Sequence, residues 1–237
     1  MTPVVGLLVC DHVAPELSSA ASGRDYPEMY QDLLCGAEPT LGFTVMDAVG
    51  GELPTDPGAC DGWVVTGSRF DAFGSDPWLA ELAEFLREAH HRRARVVGVC
   101  FGHQMVAQAL GGKVERARSW KAGPQRLEAE DTAWYAGAAV TIHGMHRDEV
   151  TVLPPGARPV GRGTTAATPI YVVEENVLCI QDHPEFDDGY ARALVERRRE
   201  RLGEGLADAA LEQIGAVSLD RDLVARWLVD FLLDRRL

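Results

Sequence analysis

Two short stretches of this chain carry residue types that together do acyl-transfer chemistry. The first is R-V-V-G-V-C-F-G-H-Q-M-V-A-Q-A-L, residues 95–110, with Cys100 at its centre. Gly98 and Gly102 flank the cysteine two residues away on either side, which is the layout of a nucleophile elbow. A sharp strand-to-helix turn needs small neighbours, because side chains there strike the adjoining backbone. The turn lifts the sulfur clear of a sheet and aims it at a helix N-terminus, whose partial positive charge favours thiolate over thiol. A cysteine that only fills a core has no need of glycines on both sides. The second stretch is V-L-C-I-Q-D-H-P-E-F, residues 177–186. A thiol nucleophile needs a base, and the base needs an orienter. His183 and Glu185 lie two residues apart, on one side of an extended chain, and Pro184 fixes the backbone between them. One ring nitrogen of His183 can accept the thiol proton while the other donates to Glu185, a Cys/His/acid triad.

These groups need elements to hold them. Val96, Val97 and Val99 read as a short buried strand. From Phe101 the period turns helical, through Met105, Val106, Ala109 and Leu110, and Gly111-Gly112 stops the helix. Residues 177–181 read as a strand that delivers His183 at its end. Upstream, strands at 4–9, 41–46 and 62–65 alternate with helices at 26–34 and 78–91. The second helix has Asp76 as N-cap and Pro77 at its first position. Residues 48–60, rich in Gly, Pro and Asp, read as a loop. The alternation predicts an open, mostly parallel, doubly wound α/β sheet with helices on both faces and the elbow on a central strand. Further on, short strands at 113–117, 125–129, 138–142, 170–173 and 177–180 add antiparallel pairing, with Glu175-Asn176 as a hairpin turn. Helical spacing at 191–201 and 223–233 predicts a tail of two C-terminal helices. The block A-R-A-L-V-E-R-R-R-E-R, residues 191–201, reads as a solvated helical face, with an anionic-partner site as the lesser reading.

The 237 residues, 46% hydrophobic and 25% charged, suit one large domain over 1–237, with 187–237 as a helical C-terminal extension and no interdomain linker. A net charge of −13 argues against nucleic acid as a partner, since phosphate binding needs a basic face. The five cysteines, at 10, 35, 60, 100 and 179, are odd in number and form no C-x-x-C pair. That fits a reducing cytoplasm and argues against a disulfide framework or a zinc site. Residues 4–9 are apolar but short and no Lys or Arg precedes them, so they read as a strand rather than a signal peptide, and no run reaches membrane-spanning length.

G-V-C-F-G-H-Q together with Q-D-H-P-E resembles the class I (triad) glutamine amidotransferases. Within them it is similar to the stand-alone proteins related to the amidotransferase domain of GMP synthase, a group that includes the γ-glutamyl peptidases. V-V-T-G-S at 64–68, M-H-R-D-E-V at 145–150 and the helical tail fall where such proteins have them. The resemblance implies a flavodoxin-like class I amidotransferase fold. It also implies cysteine-dependent hydrolysis of a γ-glutamyl amide, in glutamine or a γ-glutamyl peptide or conjugate, through a thioester on Cys100, with no metal and no organic cofactor. The N–H of Phe101, first in its helix, is one oxyanion donor, and Gly67, in the loop after the third strand, is the other. Gln104 lies one helical turn beyond Cys100, and such proteins use the matching glutamine for substrate. Met145 and His146 fall in the segment whose backbone holds the substrate carboxylate in such proteins, and Asp148 would brace that loop.

Other residues read more plainly. His103 turns toward packing, and His90 and His91 end a charged helix in solvent. Cys10, Cys35, Cys60 and Cys179 lack an elbow or partner and are structural. Arg69, Asp71 and Phe73 either shape the pocket around the group attached to the glutamyl moiety or form a surface loop. Asp182 departs from the resemblance, where many such proteins have glycine. It places negative charge beside His183, which raises its basicity or alters the pocket wall. Two further functions fit the sequence. One is a glutaminase subunit supplying ammonia to a separate synthetase or biosynthetic enzyme, necessarily another chain because no G-x-x-x-x-G-K-[ST] loop is present. The other is a non-catalytic binding protein on the same fold.

Overall fold

Runs of apolar residues without polar alternation must be covered on both faces. In the computed structural model, which describes residues 2–164 and 166–237, such runs form β1 (Val4–Leu8), β3 (Gly62–Val65), β4 (Val96–Val99) and β9 (Val177–Ile180), with β2 (Gly42–Met46) at the edge. They pair in parallel in the order β2-β1-β3-β4-β9. On one face α1 (Tyr26–Ala37) and α7 (Arg221–Leu232) cover Val5, Leu7, Val64 and Val97. On the other, α2 (Pro77–His91) and α3 (Phe101–Ala109) cover Leu8, Trp63, Val65 and Val96. Adjacent strand residues thus point to opposite layers.

The sheet continues with β8 (Ile170–Val173), β7 (Ala157–Gly163), β5 (Lys113–Ala129) and β6 (Ala139–Val152), all antiparallel, giving nine strands among the described residues. For the site, the register of β3, β4 and β9 matters most. Val65 lies beside Gly98, and Val99 beside Ile180. Three parallel strands therefore release Thr66–Ser68, Cys100 and the His183 segment on one rim, the carboxyl-end crevice where open α/β sheets bind ligands. Among the described residues no helix is long and apolar enough to cross a membrane.

The antiparallel half and the tail differ from the expectation. The two strands expected at 113–117 and 125–129 are one strand, β5, with a register shift between Arg116 and Lys121. Gly123, at φ +82°, and Pro124 break the apolar pattern without ending the pairing, which continues through Gly123 opposite Gly144 and Pro124 opposite His143. The strand expected at 138–142 runs on to Val152, so M-H-R-D-E-V is strand rather than loop. Strand β7, with two of its seven residues glycine and one proline, gave no strand signal. The tail is four helices rather than two: α4 (Asp188–Arg197), α5 (Arg199–Leu202), α6 (Glu204–Gln213) and α7. Gly203, at φ +82°, separates α5 from α6. Asp76 occupies the N-cap of α2 but makes no side-chain cap bond. The β8–β9 hairpin is as expected, and Asn176 ties its turn to the Ala94 carbonyl at 2.9 Å.

Candidate active site

Cys100 joins β4 to α3 with φ 52° and ψ −100°, a conformation that non-glycine residues rarely hold. Its N–H donates to the Ile180 carbonyl at 2.9 Å, and its carbonyl accepts from the Gln104 N–H at 3.1 Å. Both flanking glycines are sterically required. A Cβ on Gly98 would lie 2.6 Å from the Gly102 carbonyl oxygen. One on Gly102 would overlap the Val65 carbonyl oxygen and lie 2.9 Å from Val65 Cβ. The turn thus needs three backbones packed together, and Cys100, itself buried, lines a cleft with Ser68, Gln104, Met145 and His146.

His183 stands on the same rim because its N–H donates to the His143 carbonyl at 2.7 Å, tying the end of β9 to β6. Its Nδ1 donates to Glu185 Oε1 at 2.6 Å, which leaves Nε2 for Cys100. The ring is fixed by Phe186, stacked at 4.0 Å with 5° between planes. The carboxylate is fixed in turn by the Tyr30 hydroxyl, which donates to Oε1 at 3.0 Å. Arg221, first residue of α7, donates to the carbonyls of Pro184 and Glu185 at 2.8 and 3.0 Å. Burial alone lowers the basicity of His183. Negative charge at Cys100 and Glu185, with hydrogen bonds to both, outweighs it and raises the imidazole to about 10.

Asp182 behaves otherwise than its position in sequence suggests. It is fully buried and turns to His146, with Oδ1 3.5 Å from Nε2. It packs against Gly144, where a Cβ would sit 2.7 Å from that oxygen, and reaches the cleft through His146.

Gln104 is buried and donates from Nε2 to the Asp148 carbonyl at 2.8 Å and to Gln181 Oε1 at 3.3 Å. Gln104, Met145 and His146 all line the cleft with Cys100. Asp148 lies in a strand, not a loop; it accepts from Arg116 Nε at 2.9 Å. Arg116 also pairs with Asp71 and lies over the exposed Phe73 ring. Arg69 pairs with the buried Asp11. Of the two expected oxyanion donors, Phe101 opens α3. Gly67 packs on the His183 ring, where a Cβ would come 2.7 Å from Cε1. Ser68, passed over in the sequence, lines the cleft beside Cys100.

His103 is buried, donates from Nε2 to the Thr168 carbonyl at 2.9 Å and packs edge-on to Tyr171, a packing residue as expected. Burial lowers it to about 3, so it stays neutral. His91 is exposed, whereas His90 bonds Asn176 at 3.1 Å and is not simply solvated. All five cysteines are free. Burial pushes the thiols of Cys10 and Cys179 up, the latter to about 12, and leaves both fully enclosed. Tyr30, Ser68, Trp120, Arg198 and Arg201 complete the surroundings and were not singled out in the sequence. Of these, Ser68 lay in V-V-T-G-S and Arg198 and Arg201 in the arginine-rich block at 191–201, whereas Tyr30 and Trp120 carried no signal.

The model of the family described as glutamine amidotransferase class-I matches residues 62–198. Gamma-glutamyl peptidase 4 of Arabidopsis thaliana is 34% identical over 169 residues, covering 65% of this chain and 65% of that protein. Gamma-glutamyl peptidase 3 of the same plant is 29% identical over 204 residues, covering 80% and 81%. A crystal structure of a glutamine amidotransferase from Methylobacillus flagellatus superposes over 99% of this chain and 94% of that one, with TM-score 0.74 at 20% identity, a likeness of fold.

Proposed function

Because the chain belongs to the class-I glutamine amidotransferase family, we propose that it hydrolyses a γ-glutamyl amide through a thioester on Cys100. The observation that supports this most is the meeting of three groups on one rim: Cys100 in a strained elbow, His183 beside it, and Glu185 behind His183. In the proposed reaction the Cys100 thiol passes its proton to His183 Nε2 as Sγ attacks the γ-carbonyl carbon, the C–S bond forms, and the carbonyl π electrons move to oxygen. Backbone N–H groups of Phe101 and of the 67–68 loop stabilise that oxyanion. As it collapses the C–N bond breaks, and His183 Nε2 gives its proton to the leaving nitrogen. Water then adds to the thioester, its proton passing to His183, and glutamate leaves with cleavage of the C–S bond. Gln104 spends its N–H groups on Asp148 and Gln181, so its Oε1 is the acceptor left for the glutamyl ammonium group.

The names of the relatives favour a γ-glutamyl peptide over glutamine as substrate. Purified protein, incubated alone with glutamine and with γ-glutamyl dipeptides, is expected to release glutamate from the dipeptides. Glutamine turnover that appears only when a synthetase is added would instead favour an ammonia-supplying subunit. No glutamate from any substrate would favour a binding protein.

A further inference from the structure

We propose that Arg198, assisted by Arg201 and Trp120, recognises a carboxylate on the leaving group of the γ-glutamyl substrate, an assignment that rests on the hydrolase reading above. Five arginines line the cleft of a chain whose net charge is −13. Three are already engaged: Arg69 with Asp11, Arg116 with Asp71 and Asp148, and Arg147 with the Ala117 carbonyl at 3.0 Å. Arg198, at the C-terminal end of α4, is half-buried and has no carboxylate within ion-pair distance among the described residues. Its guanidinium lies over the Trp120 ring at 5.9 Å, and that of Arg201 over the same ring at 5.2 Å.

A cation withdrawn from water without a counter-charge is unfavourable, and a like charge beside it makes it more so. Burial and the neighbouring Arg201 both act against the Arg198 charge. An anion that enters between these two guanidiniums relieves both costs, and the planar forks match a carboxylate. Neighbouring arginines pair differently: Arg197 reaches Glu16, and Arg199 holds Glu196, Glu204 and Asp208. Arg198 and Arg201 are therefore the members of the run that line the cleft with no carboxylate at ion-pair distance among the described residues, and Arg198 is the more buried of the two.

Position decides which part of the substrate it meets. Arg198 lines the cleft at Cys100 and also shares a second wall with Gly67, Ser68 and His183. His183 hands its proton to the leaving nitrogen, so the leaving group extends along the His183 side. Gln104 and Asp148 stand with Cys100 in the cleft, which suits the glutamyl end.

The test compares γ-glutamyl-alanine with γ-glutamyl-alaninamide, which differ only in that carboxylate. Wild-type protein is expected to prefer the acid by roughly 10- to 100-fold in kcat/KM, mainly through KM. Arg198→Met is expected to bring the ratio near one, with Arg198→Lys retaining part of it and Arg201→Met lowering it less. A folding defect lowers both substrates together and leaves the ratio intact, so the ratio reports recognition. Wild-type turnover without acid preference, or a preference that survives in Arg198→Met, overturns this inference alone. No turnover of either compound by wild-type protein overturns the hydrolase reading and this inference with it.

Discussion

Cys100→Ala is expected to abolish glutamate release from a γ-glutamyl dipeptide, lowering kcat by about a million-fold, since in the proposed reaction its sulfur carries the acyl intermediate. His183→Ala is expected to cost about 10³- to 10⁴-fold, the range for loss of a positioned general acid and base. Glu185→Ala falls less, by about a hundredfold. Glu185 orients the ring and balances its charge, and Phe186 still stacks on His183 when the carboxylate is gone. The order Cys100, His183, Glu185 follows from what each group does to reacting atoms. Steady-state kinetics of the three variants, each with an unfolding curve to confirm that it is folded, measure it. Equal losses at Glu185 and at Cys100 would contradict the assigned roles.

Gly102→Ala is expected to damage fold and activity together. The added Cβ would meet backbone of β3, the Val65 carbonyl oxygen, together with Val65 Cβ at 2.9 Å. Strand β3 cannot withdraw, because it is paired on both edges, to β1 and to β4. Relief must come from moving the start of α3, which carries Cys100 at its N-cap. Overpacking of this kind costs about 3 kcal/mol, which for a chain this long lowers Tm by roughly 10 °C. Gly205→Ala is the control: a Cβ there meets nothing within 4 Å, on a helix where alanine is preferred. Calorimetry should find Gly205→Ala at or slightly above the wild-type Tm. A Gly102→Ala protein with unaltered Tm would mean that the elbow is not packed as described.

The parallel half of the fold was readable because its strands are short, apolar and bounded by glycine and loop residues. The elbow was readable because glycine at 98 and 102 answers a steric demand that no other residue meets. Glu185 was readable because two-residue spacing in extended chain fixes a side. Sequence could not tell that β9, some 80 positions after β4, lies beside it. That adjacency is tertiary, and only the need to bring His183 to Cys100 suggested it. Strand β5 was split in the reading because Gly123-Pro124 interrupts its alternation, and β6 was ended at 142, just before the His143-Gly144 pair that lies opposite; the long pairing overrides both. Asp182 was placed beside His183 by sequence, yet in the structure it pairs with His146 on β6. In the basic block, the helix ends at Arg197, so helical period no longer says which arginine turns inward. Tyr30, on α1, steadies Glu185 from 155 positions away, and nothing local marks it.

The central claim is that acyl transfer passes through the sulfur of Cys100. It is tested most directly by quenching the wild-type protein in acid during turnover of a γ-glutamyl dipeptide and measuring its intact mass, followed by peptide mapping. The expected result is a mass increase of one γ-glutamyl group, located on the peptide that contains Cys100 and removed by hydroxylamine. A γ-glutamyl group on any other residue, or dipeptide turnover at the wild-type rate by Cys100→Ala, would contradict it.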